Sequence, residues 1–327
     1  MTDLSTTYMG IRLKNPILVG SSSLTGNLEG LTKAEKAGAG GVVLKSLFEE
    51  QIQAEVDAST SSDQESAHPE AWEYLSGTGM SLGPRQYLDL IAQAKEKLTI
   101  PVIASVNCVG RRWWNEYAQQ LSTSGADAVE INISLLPRSI AEESSAIEKY
   151  IVDTVTQIAS QLTVPFAVKI GPYFTALPRL VLELRKAGAK AVVLFNRFYQ
   201  MDIDIDNLGL TAGIQFSSPG EFSNVLRWIS ILHGQCGLDL AAATGIHDGR
   251  AIIKGLLAGA SVCQMVSTIY RNSFSTIASS LDELSSWMDK HGYRRVDGMI
   301  GLLSQQQSDQ PEIYERLQYI KALTSID

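Results

Sequence analysis

Residues 185–196 read RKAGAKAVVLFN, and the same phrase recurs as KAGAGGVVLK at 36–45, STSGADAVEINI at 122–133 and LAGASVCQMV at 257–266. In each, a helix-like segment stops at a glycine and an apolar run starts two or three residues later. Glycine tolerates the left-handed backbone that ends a helix, and a short link then feeds the chain into a strand. This is the αβ turn of repeated βα units. Working outward from it, eight apolar runs rich in β-branched residues stand at 16–20 (PILVG), 41–45 (GVVLK), 101–106 (PVIASV), 128–133 (AVEINI), 165–170 (PFAVKI), 191–196 (AVVLFN), 238–243 (LDLAAA) and 261–266 (SVCQMV). Continuous apolar runs of this length suit strands buried on both faces of a parallel sheet. Segments with helical spacing lie between and after them, at 28–38, 86–98, 113–125, 140–162, 176–188, 219–234 and 249–259.

Eight strands alternating with about eight helices, with no compositional break, predict an α/β fold: one (β/α)8 TIM barrel over residues 1–327. A doubly wound sheet is the alternative. It would carry a GxGxxG turn after the first strand, where this chain has PILVGSSSLTG. The segment TTYMGIRLKNP (6–16) reads as a hairpin closing the end of the barrel opposite its chemistry. Insertions follow the second, fourth and sixth strands; the longest, 46–100, holds the polar stretch DASTSSDQESAHPE. The tail 272–327 reads as helical and ends in the amphipathic EIYERLQYIKAL.

Composition narrows the function. Acidic residues outnumber basic ones, 35 to 27, for a net charge of −8, and no basic run offers a nucleic-acid surface. No apolar stretch reaches the ~18 residues of a membrane span, and the N-terminus lacks a secretory pattern. The three cysteines, Cys108, Cys236 and Cys263, have no CxxC spacing, so neither a disulfide framework nor a metal site is expected. His68, His233 and His291 share no ligand pattern, and the pair Trp113-Trp114 reads as packing or a subunit contact. A cytoplasmic protein acting on a small molecule is the resulting expectation.

Barrel chemistry sits where strands end, at their C-terminal side. Those ends carry Gly20-Ser21, Lys45-Ser46, Asn107, Asn132 to Ser134, Lys169, Asn196, Thr244-Gly245 and Ser267-Thr268. Lys45 and Lys169 each terminate an otherwise apolar strand. A buried ammonium is costly unless it meets an anion or acceptor, so each either pairs with a carboxylate or faces an electron-rich ligand. Asn132 and Asn196 are poor strand formers that suit a planar heterocycle with several donors and acceptors. The phrases TGIHDG (244–249) and QMVSTIYR (264–271) read as a phosphate site after the last two strands, with His247 in its first loop.

These residues, in this order, resemble the dihydroorotate dehydrogenase family, class 1 in particular, over nearly the whole chain. The resemblance implies an FMN flavoprotein of pyrimidine biosynthesis and a homodimer. Gly20, Ser21, Lys45, Ser46, Asn107, Asn132, Lys169, Thr244, Gly245, Ser267 and Thr268 then bind cofactor. Lys45, Asn132 and Asn196 bind substrate, and Lys45 and Lys169 join the catalytic set. Two positions depart from the family. Its catalytic Cys or Ser follows an NxS phrase, and here EINIS continues into Leu135, which accepts no proton. Its substrate loop carries an Asn, and none occurs between residues 46 and 106. The phosphate signature also changes, with Thr244 for a glycine and Val266-Ser267 for Gly-Thr. Ser134, Ser139 and Glu142 are the replacement bases in reach, although strand alternation is expected to turn Ser134 elsewhere. The expected activity is hydride transfer between FMN and a small, pyrimidine-like molecule, with an electron acceptor the sequence does not identify. The alternatives are an FMN-binding protein without dehydrogenase activity, serving regulation or electron relay, and a flavin-free phosphate-binding lyase or isomerase.

Overall fold

The computed structural model describes residues 2–52, 83–108, 114–137, 139–197, 200–213 and 215–324. Eight strands form the barrel: β1 (Ile17–Val19), β2 (Gly41–Val43), β3 (Val102–Cys108), β4 (Ala128–Ile133), β5 (Phe166–Ile170), β6 (Ala191–Leu194), β7 (Asp239–Ala243) and β8 (Val262–Met265). Each pairs in parallel with its neighbours in sequence, and β8 pairs with β1. Closure leaves the sheet no free edge. A two-residue strand, Leu47–Phe48, continues from β2 along the upper part of β3.

Helices cover the outside: α1 (Leu28–Lys36), α2 (Pro84–Lys97), α3 (Trp114–Thr123), α4 (Ser144–Ala159), α5 (Leu177–Lys186), α6 (Phe222–Leu232), α7 (Gly249–Ala258), α8 (Ser267–Asn272), α9 (Ser275–His291) and α10 (Tyr314–Thr324). Two of them start on side-chain caps, where Asn27 accepts from Gly30 N–H and Asp248 from Ala251 N–H. The barrel and both flanks of the αβ turns fall where the sequence puts them.

Strand alternation divides the apolar residues into two cores. Outward side chains such as Val42, Ile131, Val168, Val192 and Ala242 pack under the helices. Inward ones, among them Leu18, Val43, Ile103, Ala128, Ala167, Ala191 and Ala241, form a second core. Alanines on this inner face leave room for Tyr8, Met9 and Leu13 of the N-terminal hairpin, whose strands are Thr6–Tyr8 and Ile11–Leu13. The hairpin plugs the lower end as expected. Met9 N–H donates to Asp239 Oδ2 at 2.6 Å, and Thr6 Oγ1 donates to Ser261 O at 3.1 Å, both at the start of a strand.

Two features lie beyond the sequence reading. After β6 a second hairpin pairs Gln200–Asp204 with Gly209–Gly213 and stands apart from the barrel sheet. Its Met201, Ile203, Ile205, Leu208 and Leu210 are exposed. The C-terminal helix forms, but it buries none of its residues, and Tyr319, Ile320 and Leu323 face solvent. The polar part of the 46–100 insertion and Trp113 lie outside the described residues. Among those described, no helix is long and apolar enough to cross a membrane, and no cluster of His, Cys, Asp and Glu suits a metal ion.

Candidate active site

A cavity of about 750 Å³ opens at the C-terminal mouth of the barrel. That volume lies within the range of cofactor-sized sites. Lys45, Lys169 and Arg197 line it, with Asn196, Gln215, Gln264, five serines and the rings of Phe48, Phe195, Phe216 and Tyr270. No Asp or Glu belongs to the lining among the described residues. Such a wall favours an anionic or electron-rich occupant.

Strand register builds the floor. The inward alternation that places Ala128 in the lower core continues to Glu130 and Asn132 on β4. It likewise runs from Ala167 to Lys169 on β5 and from Val262 to Gln264 on β8. Asn107, Asn132 and Lys169 are direct register partners across β3, β4 and β5. The Asn132 Oδ1 atom is buried without a hydrogen-bond partner. A buried acceptor left unsatisfied costs ~1–3 kcal/mol, so its presence beside a cavity points to a donor on the occupant.

Lys169 is only 9% exposed and is held from two sides. Its Nζ donates to Gln264 Oε1 at 3.0 Å and lies 3.4 Å from Glu130 Oε1. Gln264 Nε2 closes the ring by donating to Glu130 Oε2 at 2.5 Å. Both ways of stabilising a buried lysine therefore apply, since this ammonium has a carboxylate and also faces the cavity. A second network runs down the other wall. Ser21 Oγ contacts Ser46 Oγ at 3.0 Å, and Ser46 Oγ contacts the fully buried Ser105 Oγ at 2.8 Å. Tyr87 fixes Ser105 by donating to its carbonyl at 2.9 Å and accepting from its N–H at 2.7 Å. Burial pushes the Tyr87 phenol well above its ordinary value, so it stays a neutral hydroxyl.

Gly20 is needed for close approach. A Cβ there would stand 2.8 Å from Val266 Cγ2 and 3.2 Å from Gln264 Oε1. Gly245 has φ +78° and would strike Phe222 N at 2.5 Å. Thr244 also has φ +78°, a left-handed backbone that a β-branched residue rarely adopts. Its Oγ1 donates to Phe195 O at 3.1 Å.

The segment 215–218, ahead of α6, folds onto the loops after β7 and β8. Ser217 is 4% exposed. Its Oγ accepts from Gly245 N–H at 3.3 Å and lies 3.3 Å from His247 Nε2, while its N–H donates to Ser267 Oγ at 3.0 Å. Thr268 is buried and donates to His247 O at 3.0 Å. Phe216 stacks on Tyr270 with ring centroids 5.0 Å apart, and the Tyr270 hydroxyl bonds to Ser23. Arg197 ties the same segment to β6, bonding to Gln215 O and to Glu221 Oε2 at 2.9 Å.

The sequence-predicted residues thus divide. Ser21, Lys45, Lys169, Asn196, Thr244, Gly245 and Ser267 line the cavity. Gly20, Ser46, Asn107, Asn132 and Thr268 stand one layer behind or beside it. Ser134 is not turned away, contrary to the alternation argument. The strand ends at Ile133, and Asn196 Nδ2 donates to Ser134 Oγ at 3.3 Å. Ser139 and Glu142 are exposed and outside the lining, and Leu135 packs against the outer core. Glu130, Gln264 and Ser217 were missed. For the first two, the signal was a polar residue inside a run otherwise buried on both faces. Cys263 is inert, its thiol pushed up to about 12 by burial.

No protein-family model matches the chain. Curated proteins do match it over nearly its full length. The catalytic subunit of dihydroorotate dehydrogenase B (NAD+) from Thermoplasma volcanium is 26% identical, covering 92% of this chain and 99% of its own. The corresponding subunit of Pyrococcus abyssi is 27% identical, over 91% and 98%. A putative dihydroorotate dehydrogenase A (fumarate) of Aeropyrum pernix is 25% identical, over 91% and 97%. With the closed barrel, these likenesses support a divergent dihydroorotate dehydrogenase-like family for the chain.

Proposed function

We propose that the chain is an FMN-dependent oxidoreductase acting on a CH–CH bond of a small, pyrimidine-like molecule other than dihydroorotate. The observation that carries this reading is the cavity with no Asp or Glu among its described lining residues, whose floor presents Lys169 beside the unpartnered Asn132 Oδ1. FMN fits this donor set. Lys169 and Lys45 suit the electron-rich N1–C2 carbonyl edge of its ring, and Asn132 and Asn107 suit the ring's other polar edges. Gly20 and Ser21, with Ser46, would hold the ring. Thr244, Gly245, Ser267 and Thr268 would hold the phosphate; Gly245 N–H and Ser267 Oγ are bonded to Ser217 in this structure. Bound FMN supplies the hydride-accepting centre.

Asn196, with Asn132 and Lys45, orients the substrate. Ser134, hydrogen-bonded to Asn196, is the hydroxyl nearest the position of the family's base. A serine without an adjacent base is a poor proton acceptor, and general-base removal contributes about 10²–10⁴-fold. Dihydroorotate oxidation with an artificial acceptor is therefore expected to run slower than in a base-bearing relative by about that factor. Turnover equal to such a relative's overturns the altered-substrate reading.

The orientation of Leu135 favours one second reading, an FMN protein with no dehydrogenase activity of its own. Failure of every candidate reductant to bleach the bound flavin supports that reading over the first. The names of the relatives describe a catalytic subunit, so a separate electron-accepting subunit is part of the proposal, as is a homodimer. The exposed apolar hairpin at 200–213 is compatible with such assembly, and light scattering on the purified chain tests it.

A further inference from the structure

We propose that Glu130 is a positioning residue: it holds the Lys169 ammonium in the cavity floor and compensates its charge, so that the occupant meets a neutralised cation. This deepens the flavin reading and rests on it for the redox consequence. The argument starts from burial. Glu130 is 1% exposed and sits inside β4 between Val129 and Ile131, both packed in the outer core. Buried carboxylates persist only when paired and hydrogen-bonded. Here both oxygens are used, Oε1 by Lys169 Nζ at 3.4 Å and Oε2 by Gln264 Nε2 at 2.5 Å. Gln264 bonds both charged partners, donating to Glu130 and accepting from Lys169 at 3.0 Å. Three strands, β4, β5 and β8, thereby fix one nitrogen atom.

The Tyr8 hydroxyl, on the plugging hairpin, is buried without a partner. Burial first, then the nearby charges of Glu130 and Asp239, push its phenol well above the ordinary range. Tyr8 therefore stays neutral and supplies no countercharge for Lys169. Among the described residues, Glu130 is the one carboxylate bonded to Lys169.

This has a redox meaning. Reduction of a flavin at neutral pH takes up two electrons and one proton and leaves one negative charge on the ring. A bare ammonium under the ring would favour that anion, and a compensated one favours it less. Replacing the carboxylate by the neutral, nearly isosteric amide in Glu130→Gln uncovers the cation without emptying the space.

The test compares wild type, Glu130→Gln and Gln264→Met in two measurements. In the first, the potential of bound FMN is read against a redox dye. Glu130→Gln is expected to favour the reduced form at least tenfold, about 30 mV more positive for a two-electron couple. In the second, each protein without added cofactor undergoes reductive methylation, and the Lys169 peptide is followed by mass spectrometry. Lys169 is expected to be protected in wild type and labelled at least tenfold faster in both variants, because the released side chain swings into the open cavity. Lys45 labelling serves as the internal reference. Unchanged labelling and unchanged potential in folded variants overturn the proposal. If Glu130→Gln does not fold, Gln264→Met carries the labelling test. If wild type binds no FMN, the flavin reading falls, and labelling still decides whether Glu130 holds Lys169.

Discussion

The floor of the cavity and the loop after β4 are built in opposite ways. On the floor, Glu130, Lys169 and Gln264 come from three strands, are nearly excluded from solvent and satisfy one another. In the loop, Ser139 and Glu142 are exposed, Leu135 turns to the outer core, and, among the described residues, Ser134 accepts from Asn196, which lines the mouth. Strand positions are fixed by the register of a closed sheet, whereas loop positions are held by few contacts and change at little cost to the fold. On the function proposed above, the rigid floor is the half that binds a cofactor and the loop is the half that chooses a substrate.

The largest effect should come from cutting into the floor. Lys169→Met leaves the Glu130 carboxylate buried and unpaired, a loss of ~3–5 kcal/mol. Urea unfolding measures it, and FMN affinity should fall in the same variant. A change within error would mean that the floor is as tolerant as the loop. A smaller effect tests the loop after β7, which joins floor to rim. Thr244 holds a left-handed backbone with a β-branched side chain, a strain that glycine relieves and alanine does not. Thr244→Gly should be more stable than Thr244→Ala by about 1–2 kcal/mol, the difference again read from urea midpoints.

A pH dependence follows from the same loops. Burial, and then the Arg271 charge, lower the pKa of His247 below the usual histidine value. The unfolded chain therefore binds more protons than the folded one below about pH 6.5, so stability falls as pH drops through that value. The carboxylates with lowered pKa values (Asp3, Glu29, Glu35, Glu183, Asp204 and Glu221) lose their contribution only at or below about pH 4.5, and Asp239, raised by burial, acts in the opposite sense to His247 above that. His247→Gln should flatten the slope of stability between pH 5 and 6.5, seen in thermal unfolding at stepped pH. The smallest effect belongs to the loop after β4. Because Leu135 packs in the outer core, Leu135→Cys alone should raise dihydroorotate turnover by less than the ~10²-fold that a placed base supplies. A rise of that size would show that the loop readily adopts the family's catalytic arrangement.

Much of this architecture was readable without coordinates, for a specific reason. The αβ turn demands glycine at a left-handed position, and strands buried on both faces demand unbroken apolar runs, so RKAGAKAVVLFN announces its fold locally. The residues at strand ends were legible because polarity after an apolar run is conspicuous. Glu130 and Gln264 were not, because attention to strand ends passes over polar residues one pleat lower. The alternation MDIDID at 201–206 signals the second hairpin, yet it lies between two helix patterns and was read as part of an insertion. Ser217 was illegible in principle, since its partners Gly245, His247 and Ser267 lie 28, 30 and 50 residues away.

The central claim is that the cavity floor is a flavin site. The most direct measurement is the visible spectrum of the purified chain after equilibration with FMN and removal of the excess, beside Lys169→Met treated identically. The account predicts one FMN retained per wild-type chain, with the bands of a bound flavin, and its loss in the variant. A wild-type protein that emerges colourless, or a variant that retains FMN as tightly, would contradict it.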